Sequence, residues 1–183
     1  MEHRLVHNAY GALQTRATFE GMRGRDPPGE GGKAPTSGKQ SGGYTGPKQA
    51  KQAERPFLLS RAFFIGSQRH GAVWTGDNAA QWSHLKQAAP MLLSMSVCGL
   101  IFVGADAGGF FGDPDAELFT RWFQAGSYQP FFRGHAHHDA KRREPWSFGE
   151  PTTSYIRRAI ADRYALLPYW SRAVWKLHAI EQT

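Results

Sequence analysis

The sequence is divided by a long segment that cannot contribute to a hydrophobic core. Residues 23–54 read RGRDPPGEGGKAPTSGKQSGGYTGPKQAKQAE and contain no Ile, Leu, Val, Met, Phe or Trp. Because such a segment buries nothing that offsets the entropy lost on ordering, it is predicted to be disordered. Structureless loops longer than about 15 residues are uncommon inside compact domains. We therefore interpret 23–54 as a Gly/Pro-rich insertion between a helical segment, 1–22, and a folded unit, 55–183.

Short apolar runs alternate with longer amphipathic segments after this insertion. The short runs are typical of buried strands and the amphipathic segments are typical of helices. The predicted strands are 57–64, 71–74, 100–103 and 129–132, and the predicted helices are 79–95, 115–125 and 152–180. This alternation predicts an α/β fold with a parallel sheet. We expect Asn78 to cap the helix at 79–95, and Pro90 to kink or break it.

The N-terminal segment predicts one further helix, from His3 to Met22. Its apolar residues recur at roughly helical spacing, which predicts a single packing face. That predicted face comprises Val6, Tyr10, Leu13, Ala17 and Phe19.

Ionisable side chains recur where the predicted strands end. Arg61, Asp77, Asp106 and His135 each follow an apolar run. In a β/α barrel the catalytic groups project from the carboxyl ends of the strands, because the loops there line the open face. Trp74, shortly before Asp77, offers an apolar surface on which a sugar ring can stack. Carboxylates beside an aromatic ring are typical of glycosidic chemistry, in which one acid protonates the leaving oxygen and a second carboxylate attacks or activates water.

Three of these residues also have a purely structural interpretation. Asp77 is placed to begin the following helix, and Asp106 lies among glycines, as turn residues do. Arg61 is placed to form a structural ion pair on a strand. The residues alone leave these alternatives open.

The histidines after the last predicted strand do not indicate a metal site. His135 and His137 point to opposite sides of an extended chain, and no carboxylate pairing with them or with His138 is evident. The glycines near Asp106 lack the spacing of a dinucleotide- or phosphate-binding motif. We expect neither a metal nor a cofactor. The single cysteine, Cys98, lies in an apolar run and is predicted to be buried.

The charge and hydropathy patterns exclude two classes of partner. The net charge is +7, but Lys and Arg are spread along the chain without interleaved aromatic side chains, so no nucleic-acid partner is predicted. No run approaches the roughly 20 apolar residues that a membrane-spanning helix requires. The first residues, Met1 to Arg4, lead into a polar segment, so no secretory signal is predicted.

Several long motifs carry a resemblance to a known family. They read RPFLLSRAFFIGSQRHGAVWTGDN, GADAGGFFGDPDAELFTRWFQAGSYQPFFRGHA, KRREPW and RYALLPYW, in that order. Together they resemble the C-terminal half of the catalytic barrel of glycoside hydrolase family 31, most nearly its neutral α-glucosidases. HRLVHNAYG is similar to the family's preceding helix, with Leu5 where an Asp is usual. The resemblance implies the second half of a (β/α)8 TIM barrel, a partial barrel.

The resemblance also implies roles for individual residues. Asp77, in WTGDN, is similar to the family's general acid/base. Arg61 and His135 are similar to residues that hydrogen-bond the glucosyl unit, and Trp74 and Asp106 are similar to further lining of that subsite. The implied reaction is hydrolysis of terminal α-linked glucose from oligosaccharides or N-glycans, with retention of configuration.

One part of the family's pattern has no counterpart in this sequence. The family's nucleophile is an Asp in a WNDMNEP-type motif, and no such motif occurs here. We therefore expect a fragment of a retaining α-glucosidase that is inactive alone, because the nucleophile lies outside this chain. The alternative is a non-catalytic barrel remnant that binds sugar or associates with a full-length relative. The resemblance further implies an accessory β subunit, as in glucosidase II, and the endoplasmic-reticulum lumen.

Overall fold

A computed structural model describes residues 2–23 and 56–180, with side chains described as far as residue 173. The predicted disordered insertion, 23–54, lies outside the described residues except for Arg23.

Within residues 2–23 and 56–180, five short strands form the centre of the fold, and every pairing between them is parallel. They are β1 (Leu59–Ser60), β2 (Ala72–Trp74), β3 (Val103–Gly104), β4 (Asp106–Ala107) and β5 (Arg133–Gly134). The first three form one sheet in the order β1-β2-β3, and β4 pairs with β5 in a second. Only Ala105 separates β3 from β4, so the two are consecutive parts of one segment, which pairs with β2 through β3 and with β5 through β4. This parallel order follows the chain, as in a β/α barrel.

Helices connect and cover these strands. They are α1 (His3–Val6), α2 (Tyr10–Arg23), α3 (Trp82–Val97), α4 (Ala116–Gly126), α5 (Thr152–Ala165) and α6 (Leu167–Ile180). Single 3₁₀ turns occur at His7–Ala9, Ser67–Arg69 and Pro145–Phe148. Within the described residues, no helix combines the length and the hydropathy needed to span a bilayer.

The core lies between the strands and the helices, in two clusters. The first joins Val73 and Val103 of the sheet to Ala88 and Leu92 of α3. The second packs Ala107 against α4 and α5; its helical members are Leu118, Phe119, Trp122, Phe123 and Ile156. α4 begins at a true cap, because the Asp115 carboxylate accepts the Leu118 N–H at 2.7 Å. The prediction of an α/β fold with parallel strands is confirmed.

The last predicted strand is wrong in its position. Residues 129–132 form a loop, and the strand follows at Arg133–Gly134. One backbone bond, from the Phe131 N–H to the Val103 carbonyl at 3.1 Å, joins this loop to β3, and side chains supply the other contacts. The Gln129 Oε1 accepts the Ala105 N–H at 2.8 Å. Arg163 donates to the carbonyls of Ser127, Gln129 and Pro130, the last at 2.7 Å. The apolar run therefore reflects burial of Phe131 and not strand pairing alone.

The prediction that Asn78 caps α3 is wrong, and of the kink or break predicted at Pro90 the break does not occur. The helix begins at Trp82 with Gln81 at the cap position, so Asn78 does not cap it. The helix also continues through Pro90 without a break. After it, Cys98 is exposed and not buried, because it lies in the turn that ends the helix.

The N-terminal segment is helical, but its packing face differs from the prediction. Tyr10 and Leu13 are exposed, whereas Thr15 is buried. The reason is a close approach at Gly11, where an added Cβ would lie 2.3 Å from the Ala62 Cβ. The contact between the N-terminal helical segment and the chain after β1 is therefore made by small residues, Gly11 and Ala62. Phe19 makes a second contact, with its ring 5.3 Å from that of His70.

Candidate active site

The five predicted site residues lie along one edge of the strands. Trp74 ends β2, Asp106 opens β4, and Arg61, Asp77 and His135 follow β1, β2 and β5 in the connecting segments. Parallel strands present their carboxyl ends at the same edge, so the sequence positions translate into a shared location.

Arg61 and Asp77 form an ion pair across neighbouring strand ends. The Arg61 Nη1 donates to the Asp77 Oδ2 at 3.2 Å, with the side chains 62% and 30% exposed. Gly76 makes the approach possible: its φ is +88°, and a Cβ there would lie 3.0 Å from the Arg61 Nε. The Asp77 carboxylate is thus held in place while it remains accessible to a ligand.

Asp106 forms a second, buried ion pair with a residue that the sequence analysis missed. The Arg133 Nη2 donates to the Asp106 Oδ1 at 2.7 Å, and the Asp106 side chain is completely buried. The same guanidinium lies 5.2 Å from the Trp74 ring and 5.4 Å from the Phe131 ring, within cation–π range. Arg133 therefore links Asp106 to Trp74. The sequence did contain a signal for Arg133. Residues two positions apart on an extended segment lie on the same face, and Arg133 lies two positions before His135.

Burial raises the pKa of Asp106 above its ordinary value, because desolvation disfavours the carboxylate. The hydrogen bond and charge of Arg133, and the charge of His135, act in the opposite direction on that pKa, while the charge of Asp77 raises it further. Asp77, Arg133 and His135 therefore all lie within electrostatic reach of Asp106. The Asp106 Oδ2 has no hydrogen-bond partner within the described part of the chain.

Asn78 ties the Asp77 turn to the loop that follows β4. Its Nδ2 donates to the Asp106 carbonyl at 3.1 Å, and its Oδ1 accepts the Phe110 N–H at 2.9 Å. Its own carbonyl lies 2.8 Å from the Phe110 nitrogen and 2.9 Å from the Phe111 nitrogen. The residue expected to cap a helix therefore joins the two carboxylate-bearing segments.

The loop after β4 supports His135. Arg143, only 10% exposed, donates to the carbonyls of Gly108, Gly109 and Gly112 and so closes this loop. This loop includes Phe110, whose ring lies 5.2 Å from the ring of His135. His135 itself is exposed to solvent. His135 is thus placed through ring contact and not by a hydrogen bond to another site residue.

A cavity of about 460 Å³ opens beside Asp77, on the side of α3. Its lining combines Asp77 and Asn78 with Ser83, His84 and Met91 of the helix. Arg61, Trp74, Asp106 and His135 do not line it. Of the five predicted site residues, this cavity therefore contacts Asp77 alone.

Parallel strands followed by helices, with acids and bases gathered at the carboxyl ends, define the catalytic edge of a β/α-barrel protein. A family model described as the glycosyl hydrolases family 31 TIM-barrel domain matches residues 1–173. The chain belongs to glycoside hydrolase family 31, and its fold is part of that barrel.

Individual relatives agree with this assignment. The neutral alpha-glucosidase AB of Dictyostelium discoideum is 55% identical over 169 residues, which are 92% of this chain and 16% of that protein. A crystal structure of the glucosidase II alpha subunit, alpha3-Glc2-bound, matches with a TM-score of 0.81 and 46% identity, over 97% of this chain and 17% of that one. A second crystal structure is that of the ER glucosidase II heterodimeric complex, which consists of the catalytic subunit and the binding domain of the regulatory subunit. It matches with a TM-score of 0.82 and 46% identity, over 97% of this chain and 17% of that one. The chain thus spans about a sixth of the length of these relatives.

Proposed function

We propose that this chain supplies the acid/base side of the active site of a retaining α-glucosidase that removes terminal α-linked glucose from oligosaccharides or N-glycans. The observation that carries the proposal is the Asp77 carboxylate, held by Arg61 at 3.2 Å and partly open to solvent. The names of the relatives, neutral alpha-glucosidase and glucosidase II, support the choice of substrate.

In the proposed reaction, Asp77 donates a proton to the glycosidic oxygen as the bond to the anomeric carbon breaks. A second carboxylate attacks that carbon and forms a covalent glucosyl intermediate. Asp77, now ionised, then takes a proton from the water that hydrolyses the intermediate. Arg61 orients the Asp77 carboxyl and, with His135, donates to glucose hydroxyls. Trp74 lines the same subsite, and the buried Asp106 holds Arg133 against the Trp74 ring.

Asp106 is poorly suited to be the second carboxylate. A nucleophile must be ionised and must reach the anomeric carbon, but the Asp106 side chain is completely buried and burial raises its pKa. We therefore place the nucleophile outside this chain, in a WNDMNEP-type motif like that of the family. Retaining chemistry requires this carboxylate about 5 to 5.5 Å from that of Asp77.

The test uses p-nitrophenyl α-glucoside, the chain alone, and the chain mixed with the N-terminal part of a family 31 barrel that carries the WNDMNEP motif. We expect no turnover by the chain alone and turnover by the mixture. Asp77→Asn should abolish turnover by the mixture. Asp162→Asn, which removes one member of an exposed ion pair on α5, should leave that turnover unchanged. Turnover by the chain alone would place both carboxylates within it, and turnover that survives Asp77→Asn would remove Asp77 from the reaction.

An accessory subunit is part of the same proposal. One of the matching structures is a complex between a catalytic subunit and the binding domain of a regulatory subunit. We expect this chain, as part of a complete α-glucosidase, to join such a subunit. Co-elution of the assembled enzyme with the regulatory binding domain tests this, and separate elution at micromolar concentrations would contradict it.

A further inference from the structure

Three consecutive residues after β5 bring metal-binding atoms together. The His137 Nδ1 lies 3.4 Å from the Asp139 Oδ2, and the His138 Nε2 lies 3.1 Å from the Asp139 Oδ1. One donor atom from each residue lies within 4.8 Å of the other two. Across residues 2–23 and 56–173, no other three His, Cys, Asp or Glu side chains converge in this way.

We propose that His137, His138 and Asp139 form a binding site for a divalent transition-metal ion of the zinc type. Zinc binds imidazole nitrogen and carboxylate oxygen at about 2.0 to 2.2 Å in tetrahedral geometry, which separates neighbouring donor atoms by about 3.4 Å. The observed separations, 3.4 Å from His137 to the Asp139 Oδ2 and 3.1 Å from His138 to the Asp139 Oδ1, lie close to this value. Two imidazoles favour zinc, cobalt, nickel or copper over magnesium and calcium, which prefer oxygen ligands.

One ligand of the site is already fixed. The backbone N–H of His137 donates to the Phe110 carbonyl at 2.9 Å, and the His137 ring lies 5.5 Å from the rings of both Phe110 and Phe111. The Ala140 N–H closes the turn onto the His137 carbonyl at 3.0 Å. A metal ion would replace three weak contacts: the 3.3 Å bond from the Asp139 N–H to the His137 Nδ1 and the two exposed contacts of Asp139 with His137 and His138.

The other two ligands are open to solvent. His138 and Asp139 are 80% and 76% exposed, so an ion enters without rearrangement of the core. Three protein ligands leave a fourth position for water. The prediction that no metal binds here assumed an extended chain through these histidines, whereas the chain turns at His138 and Asp139 and brings the carboxylate onto both rings.

The site adjoins the candidate active site without sharing its residues. The Phe110 ring lies 5.2 Å from His135 and 5.5 Å from His137, so a bound ion would stiffen the loop that holds His135. Metal binding is independent of the proposed glucosidase reaction, and its test requires no turnover.

The experiment titrates the full chain with Zn²⁺ in competition with a chromogenic chelator at neutral pH, and with Co²⁺ monitored by visible absorption. We expect one ion per chain and the intense Co²⁺ bands of tetrahedral coordination. His138→Ala and Asp139→Asn should each weaken binding at least ~10-fold. The matched control is His7→Ala, which removes one member of an exposed histidine pair on the N-terminal helical segment, 2.8 Å from His3; it should leave the affinity unchanged.

Each other outcome overturns the proposal. Absence of competition for Zn²⁺ would show that the three side chains form only ion pairs. Affinity that survives both His138→Ala and Asp139→Asn, or that is lost in His7→Ala, would place the ion elsewhere. Displacement of Zn²⁺ by equimolar Mg²⁺ or Ca²⁺ would overturn the ion class. Far-ultraviolet circular dichroism of His138→Ala and Asp139→Asn is the control for folding. An unchanged spectrum in both variants shows that any loss of binding is not a loss of fold.

Discussion

Asp106 and Arg133 are register partners on the adjacent strands β4 and β5, and they form a 2.7 Å ion pair whose carboxylate is completely buried. Parallel pairing thus brings a strand acid and a strand base to the same face. Burial raises the pKa of Asp106, and Arg133 opposes that rise. The folded protein therefore favours the protonated carboxyl more than the unfolded chain does. Stability from this group is present below the ordinary aspartate pKa and is lost as pH rises through the raised value.

Arg133→Leu tests this balance. Without the guanidinium, the pKa of Asp106 in the folded protein rises further. The free energy of unfolding then falls by a larger amount as the pH rises, and it keeps falling to a higher pH. We expect the variant to be nearly as stable as the wild type in acid, and about 3 kcal/mol less stable near neutrality, where a buried charge lacks its partner. Urea unfolding at a series of pH values measures the difference.

A control variant separates charge from packing in that experiment. Arg121→Leu removes an exposed arginine on α4, 3.9 Å from Glu117, and should change the unfolding free energy by at most about 1 kcal/mol. A deficit in Arg133→Leu that stays the same at every pH would show that Arg133 stabilises the fold by contact with Trp74 and Phe131 alone.

Asp77→Asn should leave stability almost unchanged. The Arg61–Asp77 pair is 3.2 Å long, but its side chains are 62% and 30% exposed, so solvent screens the attraction. We expect the free energy of unfolding to change by at most about 1 kcal/mol. Urea denaturation of the variant beside the wild type checks this, and a loss of more than about 2 kcal/mol would assign Asp77 a structural role. If the unfolding free energy changes this little, loss of turnover in Asp77→Asn reflects loss of the acid/base group and not loss of the fold.

Asn78→Ala should destabilise the chain, although Asn78 follows a turn rather than lying in a helix or strand. Its amide makes two hydrogen bonds, to the Asp106 carbonyl and from the Phe110 N–H, and alanine removes both. The Phe110 N–H keeps the Asn78 carbonyl and the Asp106 carbonyl keeps the Gly109 N–H, so the cost is that of two net hydrogen bonds at about 0.5 to 1.5 kcal/mol each. The expected cost is about 1 to 3 kcal/mol in unfolding free energy. Asn8→Ala is the matched control, because Asn8 is exposed on the N-terminal helical segment. Equal stability of the two variants would show that Asn78 does not join the segments energetically.

The features that the sequence predicted well are those with local causes. α4 follows from a strong apolar stripe and from the Asp115 cap, both of which are contained within a few residues. The strand ends at Asp77 and Asp106 follow from apolar runs that stop at Gly-containing turns. Local pattern therefore placed the helices and the edge of the sheet where the candidate site lies.

The features that it missed depend on partners distant in the chain. Arg133 acquires its role only when register places it opposite Asp106, and Asn78 only when the 106–111 loop reaches it. The loop at 129–132 is buried by contacts from Arg163, more than thirty residues later in the chain. Hydrophobic periodicity reports burial but not which buried segment joins a ladder, which explains why that strand was placed too early.

Gly104→Ala should be among the most damaging single-methyl changes in the chain. A Cβ at Gly104 would lie 1.9 Å from the Phe131 carbonyl oxygen, and relief of that overlap requires the backbone of β3 and that of the 129–132 loop to move apart. We expect a loss of about 3 kcal/mol, at the upper end of the cost of overpacking a core. Gly21→Ala is the matched control: nothing lies within 4 Å of its added Cβ, and alanine favours a helix by about 0.5 to 1 kcal/mol. Thermal unfolding should therefore shift down for Gly104→Ala and slightly up for Gly21→Ala. An unchanged midpoint for Gly104→Ala would mean that Phe131 does not lie against β3, and that the loop before β5 is not held where the Asp106–Arg133 pair requires it.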